Sequence, residues 1–149
     1  MNVEVTGPAV PRLSRREVMS FVRKVLLTLG NLDRLKEEIT GVSIAFVDDE
    51  SMKSLNRKFR HRNRTTDVLT FPADDSYGHP GQAGRPLGDI VISVDQARRQ
   101  AREERHSVAT EVRYLILHGV LHALGWDHET DAGEMNELEV EVRHSVGLE

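Results

Sequence analysis

The sequence predicts an α+β fold: one domain over residues 1–149, with a mixed sheet of about four strands packed with about five helices. Three observations carry this reading. Stretches of two-residue alternation interleave with stretches of 3.6-residue periodicity, without strict strand–helix–strand regularity. The boundaries between them hold helix caps and turn formers. A length of 149 residues suits one domain that can bury a core without covalent staples.

Residues 2–6, NVEVT, alternate and predict a first strand. Ser14 and Glu17 form the S-x-x-E capping box. Val18, Phe21, Val22, Val25, Leu26 and Leu29 follow at helical spacing, and Gly30 is read as the stop. Residues 39–47, ITGVSIAFV, are β-branched and alternating, a second strand. Asp48 or Asp49 then caps a helix over about 50–60, with Met52, Leu55 and Phe59 on its inner face. Val68 to Phe71 is a short strand stopped by Pro72. Residues 73–86 contain Gly78, Pro80, Gly81, Gly84 and Pro86 and read as a loop. Residues 87–94 are a further strand, and 95–105 an exposed charged helix. Ser107 caps an apolar helix that carries His118 and His122 and ends at Gly125. A last acidic helix, about 131–146, turns Met135, Leu138, Val142 and Val146 inward.

Composition narrows the chemistry. The chain has no cysteine, which excludes disulfides, thiolate metal sites and cysteine nucleophiles. Any metal must be held by histidine or carboxylate. Neither a signal-peptide core nor a run near the ~18 apolar residues of a membrane span is present, so a cytoplasmic protein without membrane contact is expected. The net charge of −4 is uneven. Residues 127–149 hold eight acids against one base, Arg143, so the remainder is net positive. The run RKFRHRNR, 57–64, has five Lys or Arg and no acid. Binding responds to local potential, so an acidic total permits a local polyanion site. Short basic runs are as often solvated surface.

The stretch HGVLHALGWDH, 118–128, holds three of the seven histidines. At 3.6 residues per turn His118 and His122 share one helix face, and Gly125 can reverse the chain and return His128 to the same point. Three neutral imidazoles suit one divalent ion, Zn²⁺ first, with a fourth position left for water. Open sites of this kind are catalytic more often than structural. A lone histidine on an apolar helix is more often a packed residue, but here four features coincide. A closed structural site, either four histidines or three with a carboxylate from the acidic segment, is the rival arrangement open to these residues. The spacing resembles that of metzincin metalloproteases, in which a glutamate general base follows the first histidine. Here Gly119 stands there, and it cannot take a proton from water. Peptide hydrolysis by that route lacks its base.

The same stretch resembles the H-G-x-L-H-x-x-G-aromatic-D-H signature of the YbeY family of endoribonucleases and ribosomal RNA maturation factors. LNRKFR (55–60), TDVLTFP (66–72) and LGDIVIS (87–93) agree in the same order. Departures are small: Phe59 and Trp126 stand where tyrosine is common, and Thr70 where serine is common. The resemblance implies a single-domain α+β metalloprotein that cleaves single-stranded RNA. It implies maturation of the small-subunit rRNA 3′ end and a part in ribosome quality control. It implies His118, His122 and His128 as metal ligands and Arg60 as the essential arginine, with ribosomal proteins and an assembly GTPase as partners.

Physical chemistry fits roles to these residues. The planar fork of Arg60 suits phosphate oxygens, although a surface salt bridge is its ordinary duty. Arg57, Lys58, Arg62 and Arg64 are placed to follow an RNA backbone. Asp67 and Asp89 are candidates to hydrogen-bond ligand histidines, with turn or cap duty equally open. Asp127 is a candidate to orient a ligand or exchange protons with substrate. Trp126 is read as packing, with base stacking as its other role. Tyr77 and His79 are candidates to line a cleft. Two other functions compete: an assembly factor with a structural metal, and another metal-dependent hydrolase such as a peptidase.

Overall fold

The computed structural model describes residues 1–73, 84–127 and 129–148. Its elements are β1 (Asn2–Thr6), α1 (Arg15–Asn31), β2 (Ile39–Val47), α2 (Asp49–Arg60), β3 (Val68–Pro72), β4 (Arg85–Ser93), α3 (Val94–Glu104), α4 (Val108–Ala123) and α5 (Glu134–Ser145). The sheet order is β1-β2-β4-β3. The first three strands run parallel and β3 is antiparallel to β4, giving the mixed sheet expected.

Strand alternation divides the apolar side chains between two faces. Ile44 and Phe46 of β2, with Ile90 and Ile92 of β4, join the main core, to which α1, α3, α4 and α5 contribute. Val91, Leu69 and Phe71 point the other way and meet Met52 and Leu55 of α2 in a small separate cluster. The sheet is therefore covered by several helices on one side and by α2 on the other.

Helix α4 is buried on most of its circumference, as a helix at the centre of a core must be. Apart from Val108 at its start, only a stripe through Tyr114, His118 and His122, beside Thr110 and Arg113, remains half-buried. Gly119 lies on the side that meets the sheet. A Cβ built there falls 2.7 Å from Ile90 Cγ2 and 3.4 Å from Val68 Cγ2. The missing side chain lets the helix backbone lie against β4 and β3. A glutamate at this position would be driven into the sheet rather than toward the histidines, which supplies a packing reason for the glycine.

Helix ends follow local chemistry. Ser14 and Glu17 complete the capping box, each side chain accepting from the other's backbone N–H at 3.1 Å. Asp48, not Asp49, caps α2, accepting from Ser51 N–H at 2.8 Å. Helix α1 does not stop at Gly30. It continues to Asn31, and Asp33 takes the left-handed conformation (φ 59°) that closes it. Arg34 N–H then donates to Leu29 O and Asp33 N–H to Gly30 O, the paired bonds of a Schellman closure. Two other expectations shift. β4 begins at Arg85, so the last residues of the expected loop belong to the sheet, and α5 is shorter than expected at both ends. Residues 74–83, with Tyr77 and His79, lie outside the described residues.

Overpacking a filled core costs about 1–3 kcal/mol, whereas alanine for a helical glycine returns at most about 1 kcal/mol. Ile90 is fully buried and β-branched and has little room to yield. Gly119→Ala is thus expected to be net destabilising by about 1–2 kcal/mol, read from urea unfolding.

Candidate functional site

His118 and His122, at the C-terminal end of the half-buried stripe of α4, face a cleft of about 960 Å³. Its walls come from separate parts of the sequence. One is His118 and His122 on α4 with Gly125, Trp126, Asp127 and Glu129 of the following turn. The other is Asn56, Phe59 and Arg60 at the end of α2, His61, Arg62 and residues 64–67 of the segment that follows, and Val68, Leu69, Thr70 and Pro72 of edge strand β3. The histidines and the basic run thus face one space.

His118 and His122 are one helical turn apart, and their Nε2 atoms approach to 2.9 Å. Two imidazole lone pairs cannot face each other at that distance. A proton or a cation must lie between them, so the pair offers a point where nitrogen donors converge. His118 Nδ1 lies 2.7 Å from Glu139 Oε1 on α5. A carboxylate facing Nδ1 at this distance is matched by an Nδ1–H on the ring. With the proton on Nδ1, the other ring nitrogen, Nε2, is the one that faces His122. Nitrogen donors set in this way suit a borderline divalent ion such as Zn²⁺. Among the described residues no group of three or more His, Cys, Asp or Glu side chains is assembled for a metal. His128, the third expected ligand, lies outside the described residues.

The turn that leads toward it is tightly specified. Gly125 adopts φ 100°. Its N–H donates to His122 O at 2.9 Å, and Trp126 N–H to Leu121 O at 3.0 Å, closing α4 as a Schellman motif. Trp126 packs on the main core while lining the cleft, and Arg34 sits 6.0 Å from its ring centroid. Asp127 Oδ1 accepts from Glu129 N–H at 2.9 Å, a local turn bond.

On the opposite wall, the run 57–64 divides. Arg60, Arg62 and Arg64 line the cleft, whereas Arg57 and Lys58 are exposed on α2 outside it. Arg60 Nη2 donates to Thr70 O of β3 at 3.3 Å, which ties the guanidinium to the sheet edge. Phe59 remains 51% exposed, its ring held edge-on to Phe71 with centroids 5.2 Å apart. Beneath this surface Asn56 is buried, and its Nδ2 donates to Arg64 O at 2.9 Å. That bond folds the basic segment back over the end of α2, where His61 takes φ 57°.

The aspartates proposed as partners of the histidines have other duties. Asp67 Oδ1 accepts from Val68 N–H at 2.8 Å and Oδ2 from Gln100 Nε2 at 3.1 Å, fixing the start of β3 to α3. Asp89 is exposed on β4. Alternation puts it on the face of Val91, opposite the Ile90 face on which α4 packs. The carboxylate at His118 is instead Glu139, which the sequence reading did not single out. The acidic run 127–149 was its one signal, and nothing along the chain distinguished Glu139 from its neighbours.

Asp49 anchors the basic wall to the rest of the fold. Its carboxylate accepts from Thr65 Oγ1 at 3.2 Å, Ser93 Oγ at 3.0 Å and Arg99 Nη2 at 2.5 Å. Burial works to raise its pKa, but the bonds from Arg99, Ser93 and Thr65 outweigh it and hold the group below the ordinary aspartate value.

Comparison with known proteins gives a consistent set. The family model described as Endoribonuclease YbeY matches residues 9–147. An Endoribonuclease YbeY of Nautilia profundicola is 47% identical over 107 residues, covering 72% of this chain and 73% of that protein. One from Bacillus cereus is 37% identical over 141 residues and covers 90% of each chain. A protein from Thermotoga maritima solved in solution is similar in fold, with TM-score 0.61 at 24% identity, covering 97% of this chain and 89% of that one.

A carboxylate with a lowered folded-state pKa contributes stability that is complete above its unfolded value and lost as pH falls through its folded value. Asp49→Asn is therefore expected to lower unfolding free energy at pH 7. The gap to the parent should narrow as pH falls below about 4, in urea titrations of both proteins across that range.

Proposed function

Because the chain belongs to the YbeY endoribonuclease family, we propose that it is a metal-dependent endoribonuclease cutting single-stranded RNA. Its place is in ribosomal RNA processing, at the small-subunit rRNA 3′ end, and in ribosome quality control in the cytoplasm. Ribosomal proteins and an assembly GTPase are the partners this role brings. The observation that carries the reading is the shared cleft: converging imidazoles on one wall, arginines on the other.

His118, His122 and His128 would hold the ion, with zinc the best match to imidazole donors. A bound divalent ion supplies Lewis acidity toward a phosphoryl oxygen and a lowered pKa for bound water. The chain's own residues do the rest. Arg60, braced on Thr70 O, offers its remaining N–H groups to phosphate oxygens and stabilises negative charge that grows on them during cleavage. Arg62 and Arg64 draw the backbone along the wall, so binding should weaken as salt rises. RNA also brings its 2′-hydroxyl as a possible nucleophile, so a glutamate base beside His118 is dispensable. Phe59 supports the single-strand preference. Its half-exposed ring is a stacking surface that an unpaired base can reach and a paired base cannot.

The test is cleavage of a labelled single-stranded RNA by Zn²⁺-loaded protein beside His122→Ala and Arg60→Ala. His122→Ala should lose both metal and cleavage. Arg60→Ala should keep metal and melting temperature while cleavage falls about 10²–10³-fold, the usual loss of one charge-stabilising donor. Parent-rate cleavage by both variants would sink the reading. Unfolding of the parent on chelation would move the metal to a structural role. Phe59→Ala should weaken binding of single-stranded RNA by about 1–3 kcal/mol, with little change for a duplex, in filter-binding titrations.

A further inference from the structure

One close polar contact at the histidine wall, Glu139 Oε1 to His118 Nδ1, comes from outside the motif. We propose that Glu139 on α5 is a positioning residue for the site: its carboxylate keeps the proton of His118 on Nδ1 and so aims the Nε2 lone pair at the ligand point. This rests on the metal reading given above and adds to it a residue that none of the sequence motifs contains.

Three observations support it. The Glu139 Oε1–His118 Nδ1 distance is 2.7 Å, in the range of a charge-assisted bond. The Glu139 side chain is only 15% exposed, so water competes weakly for its contact with His118. Its second oxygen is also engaged: Arg143 Nη2 stands 3.9 Å from Oε2, one helical turn along α5. Arg143 in turn lies over the Tyr114 ring at 5.3 Å. Tyr114 precedes His118 by one turn of α4, so the two helices clamp the carboxylate between them. Asp67, Tyr114, His118, Glu139 and Arg143 share one small cavity of about 240 Å³ behind the cleft.

The chemistry needs this arrangement. Free imidazole divides its proton between two nitrogens, and only the tautomer with Nδ1–H presents Nε2 as a donor. A fixed acceptor at Nδ1 removes that ambiguity and raises the basicity of Nε2. Orienting partners of this kind are worth about 10–100-fold in metal affinity.

The test uses Zn²⁺ alone as probe, in competition with a chromophoric chelator, on the full chain. Glu139→Leu fills the volume without an acceptor and is expected to bind Zn²⁺ about 10–100-fold more weakly. Glu139→Gln keeps an acceptor oxygen and is expected to recover part of that loss. Nitrogen-15 spectra of metal-free parent protein should report His118 with its proton on Nδ1, and Glu139→Leu should lose that preference. Parent affinity in Glu139→Leu, or no recovery in Glu139→Gln, would overturn the proposal. So would an Nε2-protonated His118 in the parent, a result independent of how the variants fold. If His122→Ala bound Zn²⁺ like the parent, the metal reading itself would fall. Loss of metal in His122→Ala with no change in either Glu139 variant would remove only Glu139.

Discussion

The fold depends on how closely α4 can approach the sheet. Gly119 has no side chain, so the helix backbone rests against Ile90 and Val68. This contact fixes the height of α4 above β4 and β3 and its rotation about its own axis. With that rotation set, the residues on the sheet side are buried and the stripe through His118 and His122 looks into the cleft beside β3. A larger residue at 119 would displace the site from the basic wall it faces. The glycine after the first histidine is therefore a packing requirement as well as the absence of a base.

Charge is arranged across the cleft in a matching way. Arginines of the 60–64 segment occupy one side, while Asp127 and Glu129 flank the histidine side. A polyanion is attracted to the first and a cation to the second, so a phosphodiester chain and a metal ion would be drawn to neighbouring positions without competing for the same groups. Glu139 is separate from both. It faces the back of the His118 ring rather than the open cleft, where it acts on the geometry of the imidazole.

Much of this architecture was legible because the signals were local. The capping box at Ser14, the period of α1, the alternation of β2 and the Gly125 turn each depend on residues a few positions apart, and each forms as read. Gly30 misled because a glycine can sit inside a helix at modest cost. The reversal falls to Asp33, one of the few residue types besides glycine that accept a left-handed backbone. The meeting of the 57–64 segment with the histidines was not readable from spacing. It follows from β3 joining the sheet edge beside β4, a long-range pairing. Glu139 was hidden for a related reason. Which of eight acids meets His118 depends on the docking of α5 onto α4, and no period in the sequence encodes that contact.

The division of the apolar side chains into two clusters has a consequence for how the cleft breathes. The histidine wall is rooted in the main core, where α4 is surrounded by helices and sheet. The arginine wall rests on α2, whose cluster is small: Met52, Leu69 and Val91, with a few partly buried neighbours. Local opening draws on the least buried units first. By apolar burial alone, α2 and its basic extension are held less firmly than α4. One wall of the cleft is set in the large core and the other rests on the small cluster.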